Sequence, residues 1–206
     1  MNKNKKKPML AVLMLFIACC ILPNAHAFAD EGNEAVYHCV LQIGNNSYTS
    51  SFWGQVEVLQ LDPVDANIMP ILYEGNTMLP LRAFSKLLNF DGPMFYDVEW
   101  DDGEKKASLC LWDSSDPSYY RTVAEFRIGS ADAVFYDENG ENPKVITLPA
   151  APVIVNSRTY LPLRAIMEAT DFGIHWVSSK KGIVVYAYGD LPRNVTFPDG
   201  FTLNLR

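Results

Sequence analysis

Thr77-Met78-Leu79-Pro80-Leu81-Arg82-Ala83 returns 82 residues later as Thr159-Tyr160-Leu161-Pro162-Leu163-Arg164-Ala165. The match runs without gaps from residues 69–91 to residues 151–173 and holds eight identities in 23 positions, five of them consecutive. Pro70 and Phe90 recur as Pro152 and Phe172. Outward of the blocks the spacing continues. Ile43-Gly44 precedes the first as Ile128-Gly129 precedes the second, and Trp100 follows the first as Trp176 follows the second, with six extra residues in the first copy around Met94-Phe95-Tyr96. The chain is organised by an internal repeat.

Each copy reads as the same local structure. An apolar run (Ile68 to Tyr73; Val153 to Val155) meets a turn, Glu74-Gly75-Asn76 or Asn156-Ser157-Arg158, and a short strand follows. Pro80 and Pro162 suit the first position of a helix, where no N–H is needed and φ is preset. Leu81, Phe84 and Leu88 space one apolar helical face, as do Leu163, Ile166 and Ala169. Asn89 and Gly173 suit helix stops. Trp100 and Trp176 then open strand–turn–strand segments, through Asp101-Asp102-Gly103 and Ser178 to Gly182. Val123 to Ile128 and Ala133 to Tyr136 read as a hairpin, with Asn139-Gly140 turning the loop beyond it. The expected class is α+β, with two antiparallel-sheet units each curled around one helix. The offset is compatible with two beads or with one interlocked pseudo-symmetric domain. Asp113 to Ser118 is the expected joint.

The residues from Thr77 to Ala83 with Trp100, and from Thr159 to Ala165 with Trp176, make the chain resemble the copper amine oxidase N-terminal domain family, or stalk domain, in two copies. The resemblance implies an antiparallel sheet curled round a helix in exported bacterial proteins, and an accessory module that carries neither copper nor quinone.

The chain has 206 residues, 49% of them hydrophobic, and a formal net charge of −7. Its leader has a basic n-region (Lys5 to Lys7), an apolar run from Met9 to Leu22, and Ala25-His26-Ala27 as a signal-peptidase site cut after Ala27. A lipidated Cys19 is the weaker alternative, because Phe16 stands where a lipobox has Leu. Beyond the leader 13 basic groups face 24 acidic ones. That charge disfavours nucleic acid, which needs a basic patch to release its counterions. No later stretch approaches the ~20 apolar residues of a membrane span. The expected divisions are a signal peptide at 1–27, repeat 1 at 28–117, repeat 2 at 118–190 and a strand-like tail at 191–206.

Few residues nominate chemistry. Without the leader only His38 and His175 remain, too few for an amine oxidase copper site, and Tyr96 and Tyr136 lie in Phe-Tyr-Asp rather than Asn-Tyr-Asp. Neither cofactor nor metal is expected, and no enzymatic activity. His38 beside Cys39, with His175, is a conceivable metal pair that lacks the usual three or four ligands. The acidic run Asp97, Glu99, Asp101, Asp102, Glu104 misses the calcium-loop pattern and reads as a solvated hairpin turn. Cys39 and Cys110 are open between a bridge, worth ~4 kcal/mol in the chain-entropy model, and two buried thiols on neighbouring strands.

Arg82 and Arg164 recur at the third helical position, where the helix dipole disfavours a cation. A buried fork of hydrogen bonds is the preferred explanation, and capture of an acidic ligand the other. Trp100 and Trp176 are expected in the core. Trp53, Tyr119 and Tyr120 lie outside the repeat and form the candidate binding surface for cell-wall glycan or another envelope protein. The expected function is therefore a non-catalytic envelope spacer or binding module. Its rivals are a wall-polymer hydrolase using the 97–104 hairpin and a metal-handling protein.

Overall fold

The structure is a computed structural model that describes residues 35–89 and 93–205. The leader, Cys19 and Phe90 lie outside the described residues, as do the side chains of Glu168 and Ala169.

The elements follow in the order β1 (Tyr37–Gln42), β2 (Ser47–Phe52), β3 (Gln55–Gln60), β4 (Ile71–Tyr73), β5 (Asn76–Pro80), α1 (Leu81–Leu88), β6 (Met94–Asp101) and β7 (Lys106–Asp113). The chain continues with β8 (Asp116–Arg127), β9 (Asp132–Phe135), β10 (Lys144–Thr147), β11 (Val153–Val155), β12 (Arg158–Pro162), α2 (Leu163–Ala169), β13 (Gly173–Val177) and β14 (Gly182–Ala187). A last hairpin, β15 (Asn194–Thr196) and β16 (Thr202–Asn204), closes the chain. Among the described residues the fold is mostly antiparallel sheet with two short α-helices.

Two five-stranded sheets have the orders β13-β14-β1-β2-β3 and β6-β7-β8-β9-β10. Between them in the chain lie the repeat blocks, whose strands form a third sheet in the order β11-β12-β5-β4. Its hairpins β4–β5 and β11–β12 turn over two residues each, Glu74-Gly75 (φ 48° and 77°) and Asn156-Ser157 (φ 48° and 58°). Positive φ at both positions gives the primed turn whose twist matches the flanking strands. At its centre β5 and β12 pair antiparallel, Leu79 opposite Leu161.

Backbone bonds repeat on the same scheme. Gly44 N–H donates to Pro70 O at 2.9 Å and Gly129 N–H to Pro152 O at 3.0 Å, while Ile43 and Ile128 donate to Lys181 O and Lys105 O at 3.0 Å each. Gly44 and Gly129 have φ of 79° and 77°, a conformation that an L side chain strains.

Both helices feed one core. Leu81, Phe84 and Leu87 of α1 join Leu163, Ile166 and Met167 of α2, with Cys39, Leu41 and Val185 from one sheet and Leu109, Ala124 and Phe126 from the other. Asn33–Arg206 is one compact unit. The expected joint at Asp113–Ser118 is a tight turn within one sheet, Asp113 pairing with Asp116. Asp113 and Asp116 accept the N–H groups of Ser115 and Ser118, so the polar run is turn chemistry and not a linker.

Two helix-end expectations shift. Pro80, with φ −56° and ψ 133°, is the last residue of β5 and caps α1 from outside, so Arg82 is the second helical residue and not the third. Asp171 (φ 60°), rather than Gly173, takes the left-handed position after α2.

A small second core, Val40, Val177, Val184, Val195 and Phe197, lies on the other face of the first five-stranded sheet. There the C-terminal hairpin covers the sheet. Gly182 makes room, because a Cβ on it would lie 2.4 Å from the Phe197 ring. Lys180 stacks over Phe201 at 4.0 Å and holds Asp199 at 3.3 Å.

Candidate functional site: two related clefts

The step from β5 into α1 leaves no loop between Pro80 and Arg82. On α1 the inward stripe is Leu81, Phe84, Leu87 and Leu88, and Arg82 falls with Lys86 on the outward face, four residues apart. The guanidinium is therefore exposed and not a buried fork. It makes no hydrogen bond or ion pair to another described residue. Lys86 is occupied, donating to Leu61 O at 2.7 Å.

Arg82 borders a cleft of about 470 Å³. One wall is Pro80 to Ala83, a second is Val98 and Trp100 of β6, and the third is the turn between β11 and β12, with Ile154, Ser157, Arg158 and Thr159. Leu61, Asp62 and Ile68 complete the rim. A second cleft, of about 440 Å³, is lined by Pro162 and Arg164, by Ile174 and Trp176 of β13, and by Leu72, Gly75, Asn76 and Thr77 around the β4–β5 turn.

Every residue of those three walls except Leu81 and Ala83 has a counterpart in the second cleft by the repeat. Arg82 answers to Arg164 and Trp100 to Trp176, while Ile154, Ser157, Arg158 and Thr159 answer to Leu72, Gly75, Asn76 and Thr77. Each cleft takes its helix start and tryptophan from one repeat block and its hairpin turn from the other.

Trp100 and Trp176 were expected in the core. They are 42% and 36% exposed and line the clefts instead. Trp100 is two residues past Val98 on the same face of β6, where the sheet runs beyond the core, and its Nε1–H points to Asp102 at 3.4 Å.

The first cleft carries two guanidinia. The hydrogen bond of the Arg158 side chain is to the neighbouring Ser157 carbonyl, at 3.5 Å. Asp62 is the one carboxylate of the lining. Its Oδ1 already accepts the N–H groups of Val64 and Asp65. Those two bonds, Asp65 first, and then the Arg158 and Lys86 charges hold its carboxyl below the usual range. In the second cleft Asn76 replaces Arg158 and donates to Glu74 O at 3.0 Å.

The other nominated residues lie elsewhere. Trp53 sits on the β2–β3 turn with φ 48°, 62% exposed and edge-on to Phe52. Tyr119 and Tyr120 are exposed on β8 of the other sheet, Tyr120 in register with Trp112 and, beyond it, Phe95. Phe95 and Trp112 stack at 5.1 Å, so that row forms its own aromatic strip, separate from Trp53.

Cys39 and Cys110 are both free and buried. They lie on β1 and β7, strands of different sheets, and neither the bridge nor the neighbouring-strand arrangement is present. His38 and Cys39 are consecutive on a strand and point to opposite faces. His175 shares the His38 face but stands two strands away, across β14, roughly 10 Å by strand spacing. These donors do not converge on a metal. Among the described residues no three His, Cys, Asp or Glu side chains do.

The acidic hairpin is solvated. Asp97, Glu99 and Asp101 are exposed along β6, and Asp101 caps the turn by accepting from Gly103 and Glu104. Asp102 pairs with Lys105 at 2.7 Å and Glu104 with Arg127 at 2.8 Å. None of the five lines either cleft.

The family model of the copper amine oxidase N-terminal domain matches residues 58–185, a single span that takes in both clefts. The chain belongs to that family. In amine oxidases the copper amine oxidase N-terminal domain is the non-catalytic one. Neither a curated protein nor a solved structure matches the chain. Of the cleft residues, sequence reasoning named Pro80, Leu81, Arg82, Trp100, Pro162, Arg164 and Trp176 as repeat scaffold, together with Leu163, which lies in the core. It passed over Arg158, which read only as the end of a turn. The signal was there in the offset, since Arg158 aligns with Asn76.

Proposed function

We propose that this chain is an exported, non-catalytic binding module of the bacterial envelope, built from two interlocked copies of the family fold. Its signal peptide ends at Ala27. Its ligand is cell-wall glycan, with another envelope protein as the second partner class.

The observation that carries this reading is the pair of clefts, each assembled from both repeat blocks with an arginine and a tryptophan at equivalent places. A pure scaffold has no need to keep a cation and an indole exposed together twice. Interlocking is supported by the sheets. Strands β1 to β3, which precede the first block, pair with the hairpin that follows the second, and β8 to β10 pair with the hairpin that follows the first.

The test is expression with the native leader, followed by co-sedimentation with isolated wall sacculi at low and high salt. Recovery outside the cytoplasm with Phe28 at the N-terminus, and saturable binding to sacculi, are the expected results. An acylated Cys19 would replace the cleavage site by a lipid anchor. Failure to sediment, with a pull-down that captures an envelope protein, would move the ligand to the second class.

A further inference from the structure

We infer that the two clefts are not equal, and that the one around Arg82, Arg158 and Trp100 takes a carboxylate-bearing sugar unit of a glycan. This rests on the proposed reading of the clefts as binding sites and adds the chemistry that one of them recognises.

In a chain of net charge −7, two guanidinia facing one cleft without an ion pair is a local reversal of sign. Arg82 has no internal partner among the described residues and stands in the first turn of α1, where the helix dipole opposes its charge. The hydrogen bond of the Arg158 side chain is a 3.5 Å contact to its own neighbour, and its charge also bears on Asp62 without a direct ion pair. The one carboxylate of the lining, Asp62, spends its Oδ1 on backbone N–H groups and is not a counter-ion locked onto either arginine. An anionic group entering the cleft meets planar donor forks, which suit a carboxylate.

Trp100 decides what carries that carboxylate. Its indole is 42% exposed and lines the wall beside Val98. A flat, partly wet ring stacks on the C–H face of a pyranose while the ring's hydroxyls stay hydrated. A flexible acidic peptide uses the arginines but has no comparable face for the indole. The cleft volume, about 470 Å³, is in the ordinary range for small-ligand sites, roughly 300–1,000 Å³.

The second cleft keeps the indole, Trp176, and one arginine, Arg164, but has Asn76 where the first has Arg158. The repeat thus supplies an internal control. The Asn76 amide is neutral and already donates to the Glu74 carbonyl. This cleft has lost half of the charge that makes the first an acid site.

The experiment is titration calorimetry of the secreted chain with hexagalacturonate, cellohexaose and hexaglutamate, read together with tryptophan fluorescence. Hexagalacturonate is expected to bind at about one per chain and to weaken as salt rises. Cellohexaose and hexaglutamate are each expected to bind at least about tenfold more weakly. Trp100→Phe should abolish the fluorescence change and Trp176→Phe should not.

The two arginine positions are exchanged next. Arg158→Asn, which installs the residue the related turn already tolerates, should lower affinity about tenfold, the scale of one charge-assisted contact. Asn76→Arg should raise the stoichiometry from about one toward two. Unchanged melting temperatures of both variants keep the comparison on binding. Hexaglutamate binding as tightly as the uronate would overturn the sugar assignment in favour of an acidic peptide. Equal sensitivity to Trp176→Phe would overturn the inequality of the clefts. If sacculi bind and hexagalacturonate does not, the inference falls while the binding-module reading stands. If neither binds, both fall.

Discussion

Leu79 and Leu161, the same residue of the two repeat blocks, face each other directly across the β5–β12 pairing. Equivalent residues meet in this way only where a twofold axis passes, as at an isologous dimer interface. Tyr160 opposite Pro80 and Pro162 opposite Met78 repeat the relation on either side. The relation is a local twofold between two stretches of one chain.

Both leucines are fully buried in the shared core. Leu79→Ala or Leu161→Ala should each cost about 2–5 kcal/mol, the range for a buried leucine whose cavity does not fully collapse. Because the two sites are neighbours, the double variant should depart from the sum of the singles by at least about 0.5 kcal/mol. Urea denaturation of the three variants measures this. Additive losses would mean that the two positions do not share one packing unit.

The second prediction concerns the difference between the two five-stranded sheets. Gly182 lies beneath Phe197, and any Cβ there collides with the ring. Gly182→Ala should therefore lift the C-terminal hairpin and destabilise the protein by about 1–3 kcal/mol, the range for overpacking. The cause is specific, so it has a specific control. In a Phe197→Ala background the same substitution should cost close to nothing. Thermal melts of the four proteins in the cycle give the coupling, and a penalty that survives in the Phe197→Ala background would refute the steric account.

The local units were legible in the sequence because each rests on short-range rules. Glu74-Gly75 and Asn156-Ser157 announce turns, and Leu81, Phe84 and Leu88 announce one helical face. What adjacent residues do not specify is which edges pair. That Cys39 lies opposite Val185, 146 positions along the chain, is decided by complementary apolar faces that a local pattern cannot match to one another. The tryptophans misled for a related reason. An apolar period on β6 says that Val98 and Trp100 share a face, and not where along that face the core ends. Arg158 was missed because the cleft that gives it meaning exists only after β5 and β12 have paired.

A third prediction distinguishes thiols from a bridge. Burial pushes the Cys39 thiol up to about 12 and raises that of Cys110 as well. Both should be silent to Ellman's reagent at pH 8 in the native protein, and two thiols should appear in urea without reductant. Absence of thiol in urea would establish a disulfide. The linkage has a sign. A raised thiol contributes stability below its unfolded value near 8.5, and loses it as pH climbs toward the folded value. Alkaline destabilisation should accordingly begin above about pH 8.5 and be reduced in Cys39→Ala once its own packing loss is subtracted.

The fourth prediction lies on the sheet face that the C-terminal hairpin leaves open. By the repeat, Glu125 and Lys106 occupy the places of Val40 and Gly182, and where those meet Phe197 these two meet each other, at 2.8 Å. The bond from Lys106, aided by the hydroxyl of Tyr136, holds the Glu125 carboxyl below the usual range, and the bond to Glu125 raises Lys106. A lowered carboxyl contributes stability that is present above its unfolded value of about 4.3 and is lost as pH falls through the folded one. A raised lysine contributes below about 10.4 and loses its share above the folded value. The pair therefore acts between about pH 4.3 and 10.4. Partly exposed as it is, it should be worth about 1 kcal/mol or less. Glu125→Gln should lose that amount at pH 7 and almost none at pH 3, as read from urea midpoints at the two values. An equal loss at both would assign the stabilisation to the carboxyl's packing and hydrogen bonds rather than to its charge.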